Sequence, residues 1–184
     1  MDRIIYRSIS ILTSILLIFL NVEMDDIYSY NTMSIQASAA AFSRRTSAPT
    51  KDNKYYYQNN VFYKSGYGLP NCTCYAYGRA YELLGTLPDL CTGNAGTWFN
   101  ANKKKYDSGN GGYPYSSDVT KPALGAIVVW SKTGGAGHVA VVEAINGTNV
   151  ITSESGWKSA LWWDKTRSTT NSNLSAGSKY HFLG

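Results

Sequence analysis

The sequence predicts an α+β domain in which helices come first and pack on an antiparallel β-sheet that follows them. Apolar residues recur at helical spacing from position 72 to 84 and again from 95 to 105. Beyond position 112 the pattern changes to short β-rich runs separated by turn residues. At 184 residues the chain has room for one such domain and an additional segment.

The first predicted helix runs from Cys72 to Leu84. Gly68-Leu69-Pro70 interrupts the chain just before Asn71, and Gly85 is typical of the residue that ends a helix. Cys72 is therefore predicted to be the first residue of a helix. The residues that we expect to face the core are Ala76, Ala80, Leu83 and Leu84.

The second predicted helix runs from about Ala95 to Lys105, with Trp98 and Ala101 facing inward. It ends in Lys103-Lys104-Lys105, the longest basic run of the chain. Because cations complement the dipole at a helix C-terminus, we interpret this run as structural. No nucleic-acid recognition motif accompanies it, so we expect no nucleic-acid partner.

The predicted sheet is built from short β-rich runs. Asn146-Gly147 lies between two of them and predicts a hairpin, because both positions tolerate positive φ. Hairpin connections join antiparallel strands, so we expect an antiparallel sheet. The predicted strands are 126–130, 138–145, 150–155, 161–164 and 180–183.

Residues 1–54 are predicted to be an N-terminal extension and residues 55–184 the folded domain. Residues 3–20 resemble the charged start and apolar middle of a signal peptide, and their apolar run is too short for a transmembrane helix, which needs roughly 20 residues. The region from Ser34 to Asn60 has no apolar periodicity and is interpreted as a linker. Export is one interpretation of this extension, and a true start at Met33, without the signal-like segment, is the other.

The composition is that of a folded, basic chain. Hydrophobic residues make up 43% and charged residues 16%, which argues against intrinsic disorder. The net charge of +5 and the pI near 9.0 attract polyanions. Nucleic acid, anionic membranes and teichoic-acid-bearing cell walls are all polyanions, so charge alone does not identify the partner.

Cys72 is the candidate nucleophile. The chain has three cysteines, so at least one thiol stays unpaired in any set of intramolecular disulfides. At a helix start, backbone N–H groups and the helix dipole favour a thiolate, and the same donors bind the oxyanion that forms when the thiolate attacks an amide carbonyl. Asn71 supplies a side-chain amide as a further oxyanion donor. A small buried hydrophobic residue is the alternative interpretation of such a cysteine.

His138 is the candidate base, and Glu154 is the candidate acid that orients it. The chain has two histidines, and His181 lies in the last predicted strand without suggestive neighbours. His138 follows the glycine-rich loop 134–137, which we expect to be sterically open, and begins an apolar strand. The hairpin brings Glu154 to the same end of the sheet, where a carboxylate can hold the imidazole. A structural histidine and a surface glutamate beside Lys158 are the alternatives.

Three stretches of the chain resemble the motifs of one family. They are similar to the nucleophile motif and to two strand motifs of CHAP domains, the cysteine, histidine-dependent amidohydrolases and peptidases. The three stretches occur in the family's order. They are Asn71–Ala76 (NCTCYA), Pro122–Trp130 (PALGAIVVW) and Gly137–Val142 (GHVAVV).

This resemblance implies a papain-like α+β domain that hydrolyses an amide bond of bacterial peptidoglycan. Position by position, it assigns the nucleophile to Cys72, the base to His138 and the orienting acid to Glu154. Many members carry Asn two residues after the acid, where this chain has Gly156, so we expect a site of three residues. Next to it, Trp157 is expected to contact the substrate.

We expect no metal and no cofactor. A zinc site would require Cys72 and Cys74 on one face of the helix, yet residues two positions apart lie about 200° apart around a helix. Cys74 should therefore point into the core, and its pairing with Cys91 stays open. We expect a monomer that binds peptidoglycan and has no stable membrane span.

Two other functions remain as alternatives. One is a catalytically inactive CHAP-fold protein with a wall-binding or virion-structural role. The other is an endopeptidase of the NlpC/P60 type, in which the nucleophile usually follows Asp and precedes Ser, unlike Cys72 between Asn71 and Thr73. For the preferred function, the bond is either the N-acetylmuramoyl-L-alanine amide or a peptide bond of the stem or cross-bridge. We expect the protein to act at the cell wall, after secretion or after release from a host cell at phage lysis.

Overall fold

The computed structural model describes residues 42–131, 135–171, 174 and 177–183. The chain divides after Phe42, and residues from Ser43 onward form a compact unit. The predicted signal-like segment and the alternative start at Met33 lie outside the described residues. Among the described helices, none is both long and apolar enough to cross a membrane.

Among the described residues, three helices precede the sheet, one more than the two that were predicted. They are α1 (Val61–Lys64), α2 (Cys72–Leu84) and α3 (Ala95–Asp107). The predicted bounds of α2 are confirmed, and Gly85 ends the helix in the left-handed conformation with φ 69°. The helix α3 begins at the predicted residue and extends two residues beyond Lys105.

In the described part of the chain, six strands form one sheet in which every neighbouring pair is antiparallel, in the order β1-β6-β2-β3-β4-β5. The predicted α+β class is confirmed. The strands are β1 (Tyr115–Ser116), β2 (Ile127–Trp130), β3 (His138–Asn146), β4 (Asn149–Glu154), β5 (Trp163–Ser168) and β6 (Ser178–His181).

The short strand β1 was not predicted. Among the predicted strands, the largest difference is at β5, which was expected at 161–164 and lies at Trp163–Ser168. A turn delays its start, with the N–H of Gly156 donating to the carbonyl of Ala160 at 3.0 Å. The strand then pairs with β4 along its whole length. Its sequence, WDKTRS, does not alternate between apolar and polar residues, so its ends could not be predicted from that pattern. The strand lies at the edge of the sheet and is held by backbone pairing.

The central strands bury residues on both faces of the sheet. Val129 and Val139 contribute to the core between the sheet and the helices. Val128 and Ala140, one position away, contribute to a second core on the opposite face. The near-continuous apolar runs of β2 and β3 follow from this double burial.

A buried ion pair joins α2 to β3. The Nε and Nη2 atoms of Arg79 donate to the two carboxylate oxygens of Glu143 at 2.8 and 2.9 Å. Glu143 also accepts a hydrogen bond of 2.7 Å from the hydroxyl of Ser153. The pair therefore fixes the helix that begins with Cys72 against the strand that begins with His138.

The residues just before the predicted boundary at 54/55 contact the domain. The backbone N–H of Arg45 donates to Glu143 at 2.9 Å, and its guanidinium pairs with Glu82. Arg44 forms a salt bridge of 2.8 Å with Asp164. The compact unit thus includes residues 43–54, for which the sequence had indicated a linker.

Candidate active site

A pocket of about 570 Å³ lies where the start of α2 meets the start of β3. Cys72 and His138 both line it. The rest of the wall comes from α1 and Ser65 after it, from Asn71 and Thr73 on either side of Cys72, from residues 92–95 at the start of α3, from Ala136 and Gly137 before β3, and from Tyr67 and Trp157. The two residues assigned to chemistry from sequence therefore share one cavity.

Cys72 is the first residue of α2, and Asn71 caps the helix. The side-chain oxygen of Asn71 accepts hydrogen bonds from the N–H groups of Thr73 at 2.9 Å and of Cys74 at 3.5 Å. The first turn contains no acidic residue. The helix dipole thus presents its positive end to the sulfur without a neighbouring carboxylate in that turn.

The side-chain amide of Asn71 bonds to the loop before α2 through one of its two N–H groups. Its Nδ2 donates to the carbonyl of Tyr67 at 3.1 Å, and its backbone N–H donates to Ser155 at 3.1 Å. The side chain is buried and serves as an N-cap, which is the commonest role of Asn directly before a helix.

His138 is held between two indole rings at the first position of β3. The centroid of its ring lies 5.6 Å from that of Trp130, and Trp163 stacks on it at 6.1 Å with an interplanar angle of 9°. Its Nε2 lies 2.8 Å from Oε2 of Glu154, and Cys72 lines the same pocket as the imidazole. With Nε2 directed at Glu154, Nδ1 is the nitrogen that remains for the thiol.

The environment of His138 favours the imidazolium form. Burial alone would lower its pKa, but hydrogen bonds to Cys72 and Glu154, together with their charges, raise the pKa to about 9. A histidine with this pKa is protonated at neutral pH. The site can therefore hold a proton on His138 beside the sulfur of Cys72.

Glu154 is the buried acid of the site, with only 1% of its surface exposed. Burial alone would raise its pKa, but hydrogen bonds from His138, Thr152 and Arg167 and the charge of Arg167 lower the pKa instead. Oε1 accepts from Thr152 Oγ1 at 2.6 Å and from Arg167 at 2.5 and 3.1 Å, while Oε2 faces His138. Glu154 is thus a buried carboxylate and not the surface charge of the alternative interpretation.

The loop before His138 is tightly packed at its last residue. Gly137 has φ 73°, and a Cβ added there would lie 2.5 Å from the backbone of Gly96 and from the carbonyl oxygen of Trp130. The N–H of Gly96 donates to the carbonyl of Ala136 at 2.7 Å. The expectation of an open loop is therefore wrong at Gly137, whose missing side chain allows α3 to approach the strand.

Trp157 is 52% exposed and lies at the rim of the pocket. Its ring is 6.1 Å from that of Tyr67, which is 57% exposed, and the ammonium of Lys158 lies 5.3 Å from its centroid. One wall of the pocket is thus aromatic and accessible.

Gly156 occupies the position at which a fourth site residue would stand. A Cβ added there would lie 2.1 Å from Ser159 Oγ and 3.4 Å from the ring of Trp163. The local packing therefore leaves no room for a side chain at this position without a shift of Ser159.

All three cysteines are free in the structure. Cys74 is fully buried, as its helical position predicted, and burial raises its pKa to about 12. Cys91 is partly exposed. In the described part of the chain, no group of three His, Cys, Asp or Glu residues is placed to hold a metal ion.

Sequence reasoning missed four residues around the His138–Glu154 pair. Alternation in β5 places Trp163 and Arg167 on one face of that strand, and the register of β4 with β5 turns that face toward the acid. That every second residue of a strand shares a face is known from the sequence, but the register of β5 against β4 is not. The four residues are Trp130, Thr152, Trp163 and Arg167.

Fold and site together define a class of protein: an α+β domain with a cysteine at the start of a helix and a histidine–glutamate pair at the end of a sheet. The family model of the CHAP domain matches residues 62–156, which is more than half of the chain. The chain belongs to the CHAP domain family.

Among solved structures, that of Ly7917 with the hydrolyzing product of MDP matches this chain with a TM-score of 0.43 and 18% sequence identity. The match covers 64% of this chain and 55% of Ly7917, so this chain spans little more than half the length of that protein. No curated protein matches the chain.

Proposed function

We propose that this chain is a peptidoglycan hydrolase that cleaves an amide bond of the bacterial cell wall through Cys72, His138 and Glu154. The observation that carries the proposal is the pocket that brings Cys72, at a helix N-terminus, together with a histidine that is itself held by a buried carboxylate. A nucleophile, its base and a residue that orients the base are the parts required for acyl transfer.

In the proposed reaction, the thiolate of Cys72 attacks the amide carbonyl carbon, and the electron pair of the C=O bond moves to oxygen. Collapse of this intermediate breaks the C–N bond, and the leaving amine takes the proton from His138. A water molecule then attacks the resulting thioester and gives its proton to His138. Release of the acid returns Cys72 and His138 to their starting forms.

The oxyanion requires a donor beside Cys72. One N–H of the Asn71 amide is bonded to Tyr67, and the first N–H groups of a helix have no intrahelical acceptor. The side-chain oxygen of Asn71 accepts from the N–H groups of Thr73 and Cys74. We therefore assign the oxyanion to the backbone N–H of Cys72, and the second N–H of the Asn71 amide stays a predicted further donor.

Peptidoglycan is proposed as the substrate from membership in the CHAP domain family, and two features of the chain support it. The net charge of +5 favours an anionic cell wall. The exposed rings of Tyr67 and Trp157 offer an apolar wall for a sugar or a peptide beside Cys72. The site of action in this proposal is the cell wall, reached by secretion or at phage lysis.

The test is turnover of purified walls by Cys72→Ala, with Cys91→Ser as the matched control. Cys72→Ala should abolish wall solubilisation in a protein that stays folded, while Cys91→Ser should retain it. Mass spectrometry of the released fragments identifies the bond, since a muramoyl amide and a peptide bond leave different new ends. Wall binding without solubilisation by the wild-type protein would favour the inactive wall-binding alternative.

A further inference from the structure

A buried arginine lies behind the His138–Glu154 pair. Arg167, in β5, donates to Oε1 of Glu154 from Nε at 3.1 Å and from Nη2 at 2.5 Å. His138 contacts the other oxygen, Oε2, at 2.8 Å. Each oxygen of the one carboxylate therefore bonds to a different basic side chain.

Two further contacts hold Arg167 in place. Its Nε lies 3.2 Å from Oγ1 of Thr152, which itself donates to Glu154. Its guanidinium carbon lies 4.8 Å from the ring centroid of Trp130, and that ring packs against the imidazole of His138. Only 12% of the Arg167 side chain is exposed. Arg167 is thus built into the site and reaches both the acid and an aromatic neighbour of the base.

We propose that Arg167 is a positioning residue that holds Glu154 as a carboxylate throughout the reaction and so fixes which nitrogen of His138 carries the proton. The inference rests on the proposed function, in which His138 alternates between imidazolium and imidazole. While His138 is charged, Glu154 faces two cations. When His138 has lost its proton, Arg167 remains as the cation on that carboxylate.

The tautomer of His138 depends on this remaining charge. A buried carboxylate without a cation tends to take up a proton. A protonated Glu154 would donate to Nε2 of His138, which would leave the imidazole proton on Nδ1, the nitrogen facing Cys72. A histidine in that tautomer cannot accept a proton at Nδ1. Ionised Glu154 instead accepts from Nε2–H and leaves Nδ1 free to act as the base.

The charged groups around His138 decide whether its pKa rises or falls when Arg167 is removed. Among the described residues, Cys72 faces His138 from α2 and Glu154 faces it from β4, with Arg167 of β5 on the far oxygen of the acid. Without Arg167, loss of the proton from His138 would leave Glu154 uncompensated, so the imidazolium would be held more tightly. The pKa of His138 should rise. Its proton would then reach the leaving amine less readily, which lowers kcat.

The test is an NMR titration of the two histidine rings in the wild type, Arg167→Gln and Arg167→Lys, with Arg44→Gln as the matched control. Arg44 also pairs with a carboxylate of β5, Asp164, but at the exposed surface. In Arg167→Gln the titration midpoint of His138 should move up by on the order of one pH unit. In Arg167→Lys and Arg44→Gln it should stay at the wild-type value. His181 is the internal reference.

Turnover of purified walls gives a second readout. Arg167→Gln should lower kcat by roughly tenfold. KM should stay unchanged, because Arg167 bonds to Glu154 and does not line the pocket. Arg167→Met, which keeps apolar contact with Trp130, is a second variant without the charge and must move the midpoint in the same direction.

An unchanged or lower His138 midpoint in a folded Arg167→Gln or Arg167→Met protein would overturn the proposal. So would an Arg167→Lys protein that shifts as far as Arg167→Gln. If the wild-type protein does not cleave walls, the proposed function fails, but the titration still decides the role of Arg167 because it needs no substrate.

Discussion

The variant Glu154→Gln removes the negative charge of the acid and keeps nearly the same side-chain shape. In the wild type, Oε2 accepts from His138 while Oε1 accepts from Thr152 and Arg167, so both positions require an acceptor. A glutamine side chain has one acceptor oxygen and one NH₂ donor. Its oxygen can face Arg167 or His138, and its NH₂ must face the other. Either Arg167 then meets a donor, or His138 is driven into the tautomer whose proton faces Cys72.

The expected magnitude follows from these contacts. Removal of a charge-assisted hydrogen bond from a buried site costs about 1.5–3 kcal/mol, or roughly 10- to 100-fold in turnover if it is felt fully in the transition state. Glu154→Ala should lose that much. Because the amide adds a mismatched donor, Glu154→Gln should be at least as slow as Glu154→Ala. The lost charge should also lower the pKa of His138 from about 9 toward its ordinary value, which moves the alkaline limb of the pH–rate profile to lower pH.

The assay is turnover of purified walls across pH, with circular dichroism to confirm folding. Asp164→Asn is the matched control, since it makes the same kind of change at the neighbouring strand on an exposed carboxylate. It should leave both turnover and the pH profile as in the wild type. A folded Glu154→Gln protein with near wild-type turnover would refute the reasoning and reduce the site to Cys72 and His138.

Three further predictions concern the surroundings of the site. Gly137→Ala should reduce turnover by at least roughly tenfold in a folded protein, because the new Cβ meets the backbone of Gly96 and displaces His138; full turnover would mean that the loop yields without moving the base. Arg79→Met should lower the free energy of unfolding in urea by about 3–5 kcal/mol, because the carboxylate of Glu143 is left buried without a counter-ion. A loss below about 1 kcal/mol would contradict this. The stabilisation from His138 should be complete below its ordinary pKa of 6.5 and lost as pH rises through about 9. His138→Gln should therefore remove that part of the pH dependence of the free energy of unfolding. If this free energy changes with pH equally in the two proteins, the prediction is refuted.

Local patterns were enough to predict the helix that begins with Cys72 and the hairpin. The bounds of α2 depend on Asn71 and Gly85, which act on backbone groups within a few residues of themselves. The predicted hairpin likewise joins β3 to β4, although its turn lies one residue later than expected, at Gly147-Thr148, and Asn146 ends β3. Alternation and helical periodicity are short-range signals, so they also predicted the α+β order of elements.

The partners of the site residues were decided by the tertiary structure. One N–H of the Asn71 amide, a predicted oxyanion donor, bonds to the carbonyl of Tyr67, four residues away in a loop whose path the sequence did not reveal. Arg167 reaches Glu154 because β5 pairs with β4 in one particular register, and polar residues on an edge strand give no signal for that register.

The sequence by itself determined the fold class, the cysteine at the start of a helix and the histidine at the start of a strand, because each depends on neighbouring residues. Only the tertiary structure decided what surrounds them: the indole rings beside His138, the Arg167 charge behind Glu154 and the close approach of Gly137 to Gly96. These contacts join residues that are far apart in the chain. Their energies depend on packing and burial, which arise only when the helices and the sheet have come together.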